Sequence, residues 1–444
     1  MEFAGKSALI LGGGVTGRAV AKVLEELGAS IKVADEKPVT DFASHPITDL
    51  TNLNYDFAVV SPGWRPDHPL IKALEKAEIM ITSELDLAWQ LHNLHSPKQR
   101  WVAITGTNGK TTTTELTAAM LNAAGISAIA CGNVGTTVIE SILRDESFEV
   151  LVIELSSFQI HWMSEPEFVA VALLNIADDH RDWHGSFEAY VKAKVKLLTH
   201  TDLAIINGQD QNLVGAVSYW SGKKIYFGLD TPAAGQLGLV EELLIDRAFV
   251  SDANEAGEIC ELSEVQPTVP HAVANTLAAA GLARAVGAEL SSIRSAIKGF
   301  TPGRHRIELI LERDGIKWIN DSKATNPHAA QASLLASPNA IWIAGGLAKG
   351  AEFGDLIAKC KSRIKFAILI GADRELIAKE LDLAQIDYVR VDGPDVMAAA
   401  VRKAREIAMP GDVVLLAPAC ASMDQFKNYS DRGDQFAAAV RELA

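Results

Sequence analysis

Cysteine is scarce in this chain: four in 444 residues, at positions 131, 260, 360 and 420, with no C-x-x-C pair. That spacing excludes a disulfide framework and a cysteine-built zinc site, and it suggests reduced thiols and a cytoplasmic location. Long apolar runs are missing too. None approaches the ~18 residues of a membrane span, and the first residues lack the basic-then-apolar pattern of an export signal. Positive charge is in deficit, with 41 Lys and Arg against 56 Asp and Glu and a formal net charge of −15. Such a balance argues against nucleic acid and anionic membranes as partners, so any anionic ligand must meet local cations. What remains, 48% hydrophobic and 22% charged, is the composition of a globular protein. At ~150 residues per domain, its length predicts three domains.

The most informative stretch is WVAITGTNGKTTTTELTAAM, residues 101–120. A strand-like run at 101–105 meets the turn Gly106-Thr107-Asn108-Gly109, and Lys110 opens a predicted helix with Leu116, Met120 and Ala124 four apart. Strand, glycine turn, lysine, threonine and helix make a phosphate cradle. Backbone N–H groups and the helix dipole face the anion, lysine supplies a full charge, and the hydroxyl of Thr111 or Thr112 suits Mg²⁺. The general pattern places another glycine five residues before Gly109, where this chain has Ile104. Threonines start helices poorly, so the run 111–114 points to ligand use rather than packing.

Before this loop, a predicted strand at 7–11 leads into Gly12-Gly13-Gly14-Val15-Thr16-Gly17, and a second strand ends at Asp35. This is the dinucleotide fingerprint, weak alone. It admits a nicotinamide site, a bare structural turn, or a non-redox nucleotide diphosphate such as a UDP-sugar with Asp35 near base or ribose. The third is favoured, because a phosphate loop of another kind follows. The polar segment 96–100 closes this part.

After the loop, the turn at 131–135, following a strand expected at 126–130, carries Asn133, which could serve a ligand or the turn itself. The apolar run 150–154 delivers Glu154 to a strand end, where phosphate-loop proteins hold Mg²⁺, and Ser156, Ser157 and Gln159 follow it. Residues 175–184 include Asp178, Asp179, His180, Asp182 and His184. A kinase catalytic loop would need Asn where Phe187 stands, so that reading fails; a solvated turn and a metal and substrate site stay open. On the helix behind, Lys192, Lys194 and Lys196 read as a solvated face. Residues 218–264 lose the βα alternation, and 224–227 and 243–250 predict a small antiparallel accessory sheet. Pro270 opens a helix with His271 and Asn275 on one face.

Residues 299–303, GFTPG, form a second boundary. Beyond it, strands alternate with helices, and their ends carry Asp321 to Asn326, Gly345 to Lys349 and Pro418 to Ser422, loops that belong at the ligand-facing rim of an open α/β sheet.

Taken in order, GTNGKT, GNVG, ELSSFQ, the DDH cluster, NDSKATN and PACASMDQFKNYSDRGDQF resemble the Mur ligases over essentially the whole chain. The last two motifs resemble the branch whose amine is D-glutamate. The resemblance implies an α/β protein of three domains: a Rossmann-like UDP-substrate domain at 1–96, a phosphate-loop ATPase-like domain with a small accessory β-sheet at 97–299, and a Rossmann-like amino-acid-binding domain at 300–444. It implies an ATP-dependent amide-bond-forming ligase of peptidoglycan synthesis, acting through an acyl phosphate on UDP-N-acetylmuramoyl-L-alanine and D-glutamate, and expected to be a monomer. By resemblance Gly106, Thr107, Asn108, Gly109, Lys110, Thr111, Thr112, Asn275, Arg306 and Asp321 bind ATP, and Lys110, His180 and Lys194 are catalytic. Thr111, Glu154, His180 and a carbamylated Lys194 hold two Mg²⁺ ions. The UDP substrate falls to Val15, Thr16, Asp35, Lys37, Asn133, Ser156 and Gln159, and D-glutamate to Lys323, Thr325, Lys349, Ser422 and Tyr429. Two departures stand out: Ala272 replaces a common Asn beside His271, and Glu36 precedes Lys37 where neutral residues are common.

Overall fold

The computed structural model describes residues 3–36, 44–46, 53–144 and 146–443. Three sheets organise them. In the first, β1 (Ser7–Leu11), β2 (Ser30–Asp35), β3 (Ser44–Pro46), β4 (Phe57–Val60) and β5 (Met80–Ser83) run parallel in the order β3-β2-β1-β4-β5. The helix Val15–Glu26 lays Ala19, Val20, Val23 and Leu24 against this sheet, at the spacing of one helical face, and Gly28 follows it at φ 82°. Strand order reverses between β1 and β4, so the glycine turn 12–17 lies at the switch point where such sheets bind ligands.

The second sheet contains β6 (Arg100–Thr105), β7 (Ala128–Gly132), β8 (Val150–Glu154), β9 (Ala170–Leu173), β10 (Leu203–Asn207), β11 (Lys223–Phe227), β12 (Gln236–Val240), β13 (Leu243–Asp246) and β14 (Gly257–Glu261). Their order is β14-β13-β12-β11-β10-β9-β6-β8-β7. The inner strands are apolar throughout because both faces are covered, Val102 to Ile104 and Val150 to Ile153 all being fully buried. The irregular region is simpler than its sequence suggests. β11 pairs parallel to β10 and β12 parallel to β11, so antiparallel pairing is confined to β12, β13 and β14, which extend the main sheet at its edge. β7 also begins two residues later than expected, which carries Cys131 and Gly132 into the strand.

The third sheet contains β15 (Glu308–Arg313), β16 (Ile316–Asn320), β17 (Ala340–Gly345), β18 (Ile364–Ile370), β19 (Tyr388–Arg390) and β20 (Val413–Leu416), in the order β15-β16-β20-β17-β18-β19. β15 alone is antiparallel, and each face has its own apolar core, one around Trp342 and Leu369, the other around Trp318 and Phe436. The four cysteines are free and buried.

By contact density the chain forms two compact units, residues 1–176, 185–265 and 273–300 in one and 177–184, 266–272 and 301–444 in the other. The first two sheets share a unit. One core runs from Val20, Leu24 and Phe57 through Leu87 and Leu91 to Trp101, Ile139 and Leu151.

The glycine turn tolerates no side chain at Gly17, where a Cβ would lie 1.8 Å from the carbonyl oxygen of Gly12. Gly17→Ala is expected to lower stability by about 3 kcal/mol, read as a reduced urea midpoint. An unchanged midpoint would mean that the turn is not held this tightly.

Candidate active site

The phosphate loop is built by crowding on both sides. Gly109 caps the helix Lys110–Ala123 at φ 85°, and a Cβ there would fall 2.4 Å from Asn275 Oδ1. At Gly106 a Cβ would meet the Leu174 Cβ at 2.9 Å. Asn175, just past β9, frames the turn: its Oδ1 accepts from the Asn108 N–H at 2.8 Å, its Nδ2 donates to Asn108 O at 3.0 Å, and its carbonyl accepts from the Thr107 N–H at 2.9 Å. An amide that closes such a ring through another strand's loop is invisible to local spacing, and Asn175 was not among the predicted site residues. The threonine run also has a packing role, contrary to expectation. Thr113, Thr114 and Thr117 are buried, and their hydroxyls donate to the carbonyls of Gly109, Lys110 and Thr113 one turn back.

Two ammonium groups converge on one carbonyl. Lys110 Nζ donates to Gly106 O and Thr107 O, both at 2.9 Å, and Lys194 Nζ donates to Gly106 O at 2.8 Å. Lys194 is 1% exposed and lies 4.9 Å from the centroid of the Tyr190 ring, whose hydroxyl is 2.9 Å from Thr107 Oγ1. The lysine face predicted to be solvated therefore divides. Lys192 is exposed, Lys194 is buried in the loop's foundation, and Lys196 is half-buried with Nζ on the carbonyls of His161 and Met163.

Glu154 ends β8, beside β6 in the sheet and in register with Ile104. It is 2% exposed, its Oε1 accepts from Asn133 Nδ2 at 2.8 Å, and its Oε2 is buried without a protein partner. A hard cation shared with phosphates needs few protein oxygens, so this orphaned oxygen fits a single protein ligand to Mg²⁺. Among the described residues no three His, Cys, Asp or Glu side chains gather into a metal cage. His180, at φ 54°, is partly exposed beside Asp179 and groups with the second compact unit.

Ser156 and Gln159 hold each other in a capping box: Gln159 Oε1 accepts from Ser156 N at 3.0 Å and Ser156 Oγ accepts from Gln159 N at 3.2 Å. In the first sheet, Val15 is 73% exposed at the helix start, Thr16 is half-buried, and Asp35 Oδ2 accepts from the Gly13 N–H at 2.7 Å. Glu36 lies 3.5 Å from His68 Nε2, whose ring meets Trp64 edge-on. Lys37 lies outside the described residues.

The second unit collects its own set. Asp321, just past β16, is buried; its Oδ2 accepts from Ser333 Oγ and its Oδ1 from Ile307 N at 3.3 Å. Burial pushes its carboxyl up to about 6, against these hydrogen bonds and the nearby Arg306. Lys323 Nζ sits 4.0 Å from the Tyr429 ring centroid; burial raises the Tyr429 phenol, but Lys323 and a Ser430 hydrogen bond outweigh it and lower the pKa. Thr325 is half-buried with its N–H on Lys323 O, Ser422 is buried, and Lys349 is exposed at φ 51°. Two residues not predicted for the site brace these loops. Arg432, fully buried, donates to Ser322 Oγ, Ser322 O and Cys420 O at 2.9 to 3.1 Å. His305, at φ 66°, places Nδ1 2.9 Å from Asn320 Nδ2.

With this geometry in hand, similarity to known proteins is informative. The family models described as Mur ligase middle domain and as Mur ligase, glutamate ligase domain match residues 104–283 and 305–420. A Streptomyces coelicolor protein named UDP-N-acetylmuramoylalanine–D-glutamate ligase is 44% identical, the match covering 100% of this chain and 99% of that protein. A Thermobifida fusca protein of the same name is 42% identical over the full length of both. Among solved structures, a pseudomurein peptide ligase type C from Methanothermus fervidus shares the fold with a TM-score of 0.64 at 16% identity, covering 99% of this chain and 100% of that one. A MurF ligase from Thermotoga maritima in complex with ADP does so at 0.60 and 16%, covering 99% and 96%.

Because Asp321 titrates near 6 when folded and near 3.8 when not, the unfolded chain releases this proton first. The stability it contributes is full below pH ~4 and is lost as pH rises through ~6. Relative to Asp321→Asn, the wild type is expected to lose roughly 3 kcal/mol across that window in urea unfolding. A pH-independent difference would place the Asp321 pKa at its ordinary value.

Proposed function

This chain belongs to the Mur ligase family, and from that premise we propose that it joins D-glutamate to UDP-N-acetylmuramoyl-L-alanine at the expense of ATP, as a cytoplasmic monomer in peptidoglycan precursor synthesis. The carboxylate of the alanyl group attacks the γ-phosphorus of ATP, giving an acyl phosphate and ADP. The D-glutamate amine then attacks the acyl carbon, loses a proton, and expels phosphate. Direct attack of an amine on a carboxylate would stall because the oxygen leaves poorly, and phosphorylation turns it into a phosphate leaving group.

In this reading residues 1–96 bind the UDP substrate, 97–299 bind ATP and 300–444 bind the amino acid. Gly106, Thr107, Asn108, Gly109, Lys110, Thr111 and Thr112 wrap the ATP phosphates, with Lys110 on the outer ones, and Asn275, Arg306 and Asp321 hold the rest of the nucleotide. Val15, Thr16, Asp35 and Lys37 take the UDP end, while Asn133, Ser156 and Gln159 run along the sugar and alanyl part. Lys323, Thr325, Lys349, Ser422 and Tyr429 receive D-glutamate, the lysines answering its carboxylates. Thr111 and Glu154 would hold one Mg²⁺, and His180 with carbamylated Lys194 a second; bound there, the ions would neutralise phosphoryl charge.

One observation carries the proposal: the partnerless Glu154 oxygen, buried one strand from a lysine-bearing phosphate loop. The names of the full-length relatives support the choice of substrates. Phosphate release is expected to require ATP, UDP-N-acetylmuramoyl-L-alanine, D-glutamate and Mg²⁺ together, each omitted in turn. Lys110→Ala is expected to cut that rate by about 10³-fold or more while UDP-substrate binding by calorimetry stays within about twofold. Release that persists at the wild-type rate in Lys110→Ala, or without the UDP substrate, would overturn the assignment.

A further inference from the structure

The helix Glu84–His95 begins directly at the end of β5, and two acids in its first turn are almost fully buried, Glu84 at 4% and Asp86 at 1% exposure. Neither reaches the crevice of its own sheet by hydrogen bonding; both fasten loops of the second sheet. Asp86 Oδ1 accepts from the backbone N–H groups of Ser164 and Glu165, each at 2.8 Å, while Oδ2 closes a capping box on Ser83. Glu84 Oε1 accepts from Ile139 N at 2.7 Å, at the start of the helix Val138–Ile142.

Those two anchor points lie a few residues beyond the segments that carry the substrate-side residues. Helix Val138–Ile142 follows the turn bearing Asn133, the residue bonded to Glu154. Ser164 and Glu165 follow the helix Ser157–Trp162, whose N-terminal end is built by Ser156 and Gln159. That short helix is pinned twice more at its distal end. Lys196 Nζ binds the carbonyls of His161 and Met163, and Trp162 Nε1 donates to Trp64 O at 3.2 Å. Trp64 in turn crowds the glycine turn, since a Cβ on Gly12 would lie 3.1 Å from its indole nitrogen.

Burying carboxylates is a costly way to join two sheets that already share an apolar core: burial, with Glu140 and Asp86 adding to it, pushes Glu84 up to about 7 against the backbone hydrogen bonds it accepts. Directed hydrogen bonds provide what apolar contact lacks, a fixed register between the joined parts. We propose that Asp86, aided by Glu84 and Trp162, is a positioning residue that sets the distance between the glycine turn at 12–17 and the loops bearing Asn133, Ser156 and Gln159, so that a ligand held at one end presents its reactive group at the other. The inference rests on the UDP-substrate reading above, and predicts that a long ligand touching both ends is affected while ATP, bound at residues 106–112, is not.

The test is steady-state kinetics of the full-length enzyme with Asp86→Asn, Trp162→Phe and Glu84→Gln. Asp86→Asn and Trp162→Phe are each expected to raise KM for UDP-N-acetylmuramoyl-L-alanine about fivefold or more with KM for ATP within about twofold. Glu84→Gln keeps the oxygen that accepts from Ile139 and should stay within about twofold on both. Both Asp86 oxygens accept, however, so Asp86→Asn turns an NH₂ toward the N–H groups of Ser164 and Glu165 or toward that of Ser83, and Glu84→Ala should follow it. A fall in kcat with both KM values unchanged would show a purely structural role and overturn the proposal, as would equal rises in both KM values. Trp162→Phe, which removes the indole N–H and its fused ring but leaves both acids intact, decides the matter should Asp86→Asn reduce the folded yield. Failure of the underlying reading shows separately, in a wild type that needs no UDP substrate.

Discussion

A buried carboxylate oxygen without a partner costs ~1–3 kcal/mol, more when charged, and Glu154 Oε2 is in that position. Much of the second sheet is arranged around that constraint. β8 places Glu154 beside β6, Asn133 at the end of β7 satisfies its other oxygen, and the phosphate loop leaves β6 two residues beyond the register partner Ile104. No lysine hydrogen bond reaches Glu154; Lys110 and Lys194 both donate to Gly106 O instead. An acid with one buried oxygen left unpartnered, one strand from the phosphate loop, can take a cation without first giving up a protein partner.

The fold was legible where one short motif determines a turn. Gly17 cannot be anything larger, Gly109 must adopt a left-handed backbone, and both lie where apolar strands give way to amphipathic helices. Such turns show in the order of residues because the constraint is local. The β11 to β14 region was less legible because β11 and β12 pair in parallel with strands at the sheet's edge, while the turn residues around them signal hairpins.

Among site residues, the division follows the same rule. Lys110 and Thr111 open a helix behind a glycine turn, and Glu154 and Asp321 stand at or just past strand ends, places where residue type carries meaning without further context. Lys194 does not: Lys192, Lys194 and Lys196 look alike along a helix, and only packing against Tyr190 and Gly106 separates a foundation lysine from a surface one and from one that holds helix carbonyls. Asn175 and His305 carry no local signal for a related reason, each acting on backbone or side chains brought near by a different strand. Burial cannot be read from residue type when the residue is polar.

Arg432 completes the electrostatic argument. A guanidinium with no exposure ordinarily pairs with a carboxylate, yet this one donates to a hydroxyl and two carbonyls. Burial pulls its pKa down to about 10, so the charge persists at neutral pH, with Asp424 near enough to favour it but not hydrogen-bonded to it. That charge therefore lies without a hydrogen-bonded counterion, offset only in part by Asp424, beneath the loops of Ser322 and Cys420, whose neighbours include Lys323 and Ser422. On a chain carrying −15 overall, an anion reaching this unit must find positive potential locally. Keeping Arg432 free of a direct carboxylate partner does what an additional surface lysine could not, because a buried charge is screened far less by salt. Its three directed bonds also fix the two loops it supports, so the same residue supplies both field and geometry to the rim.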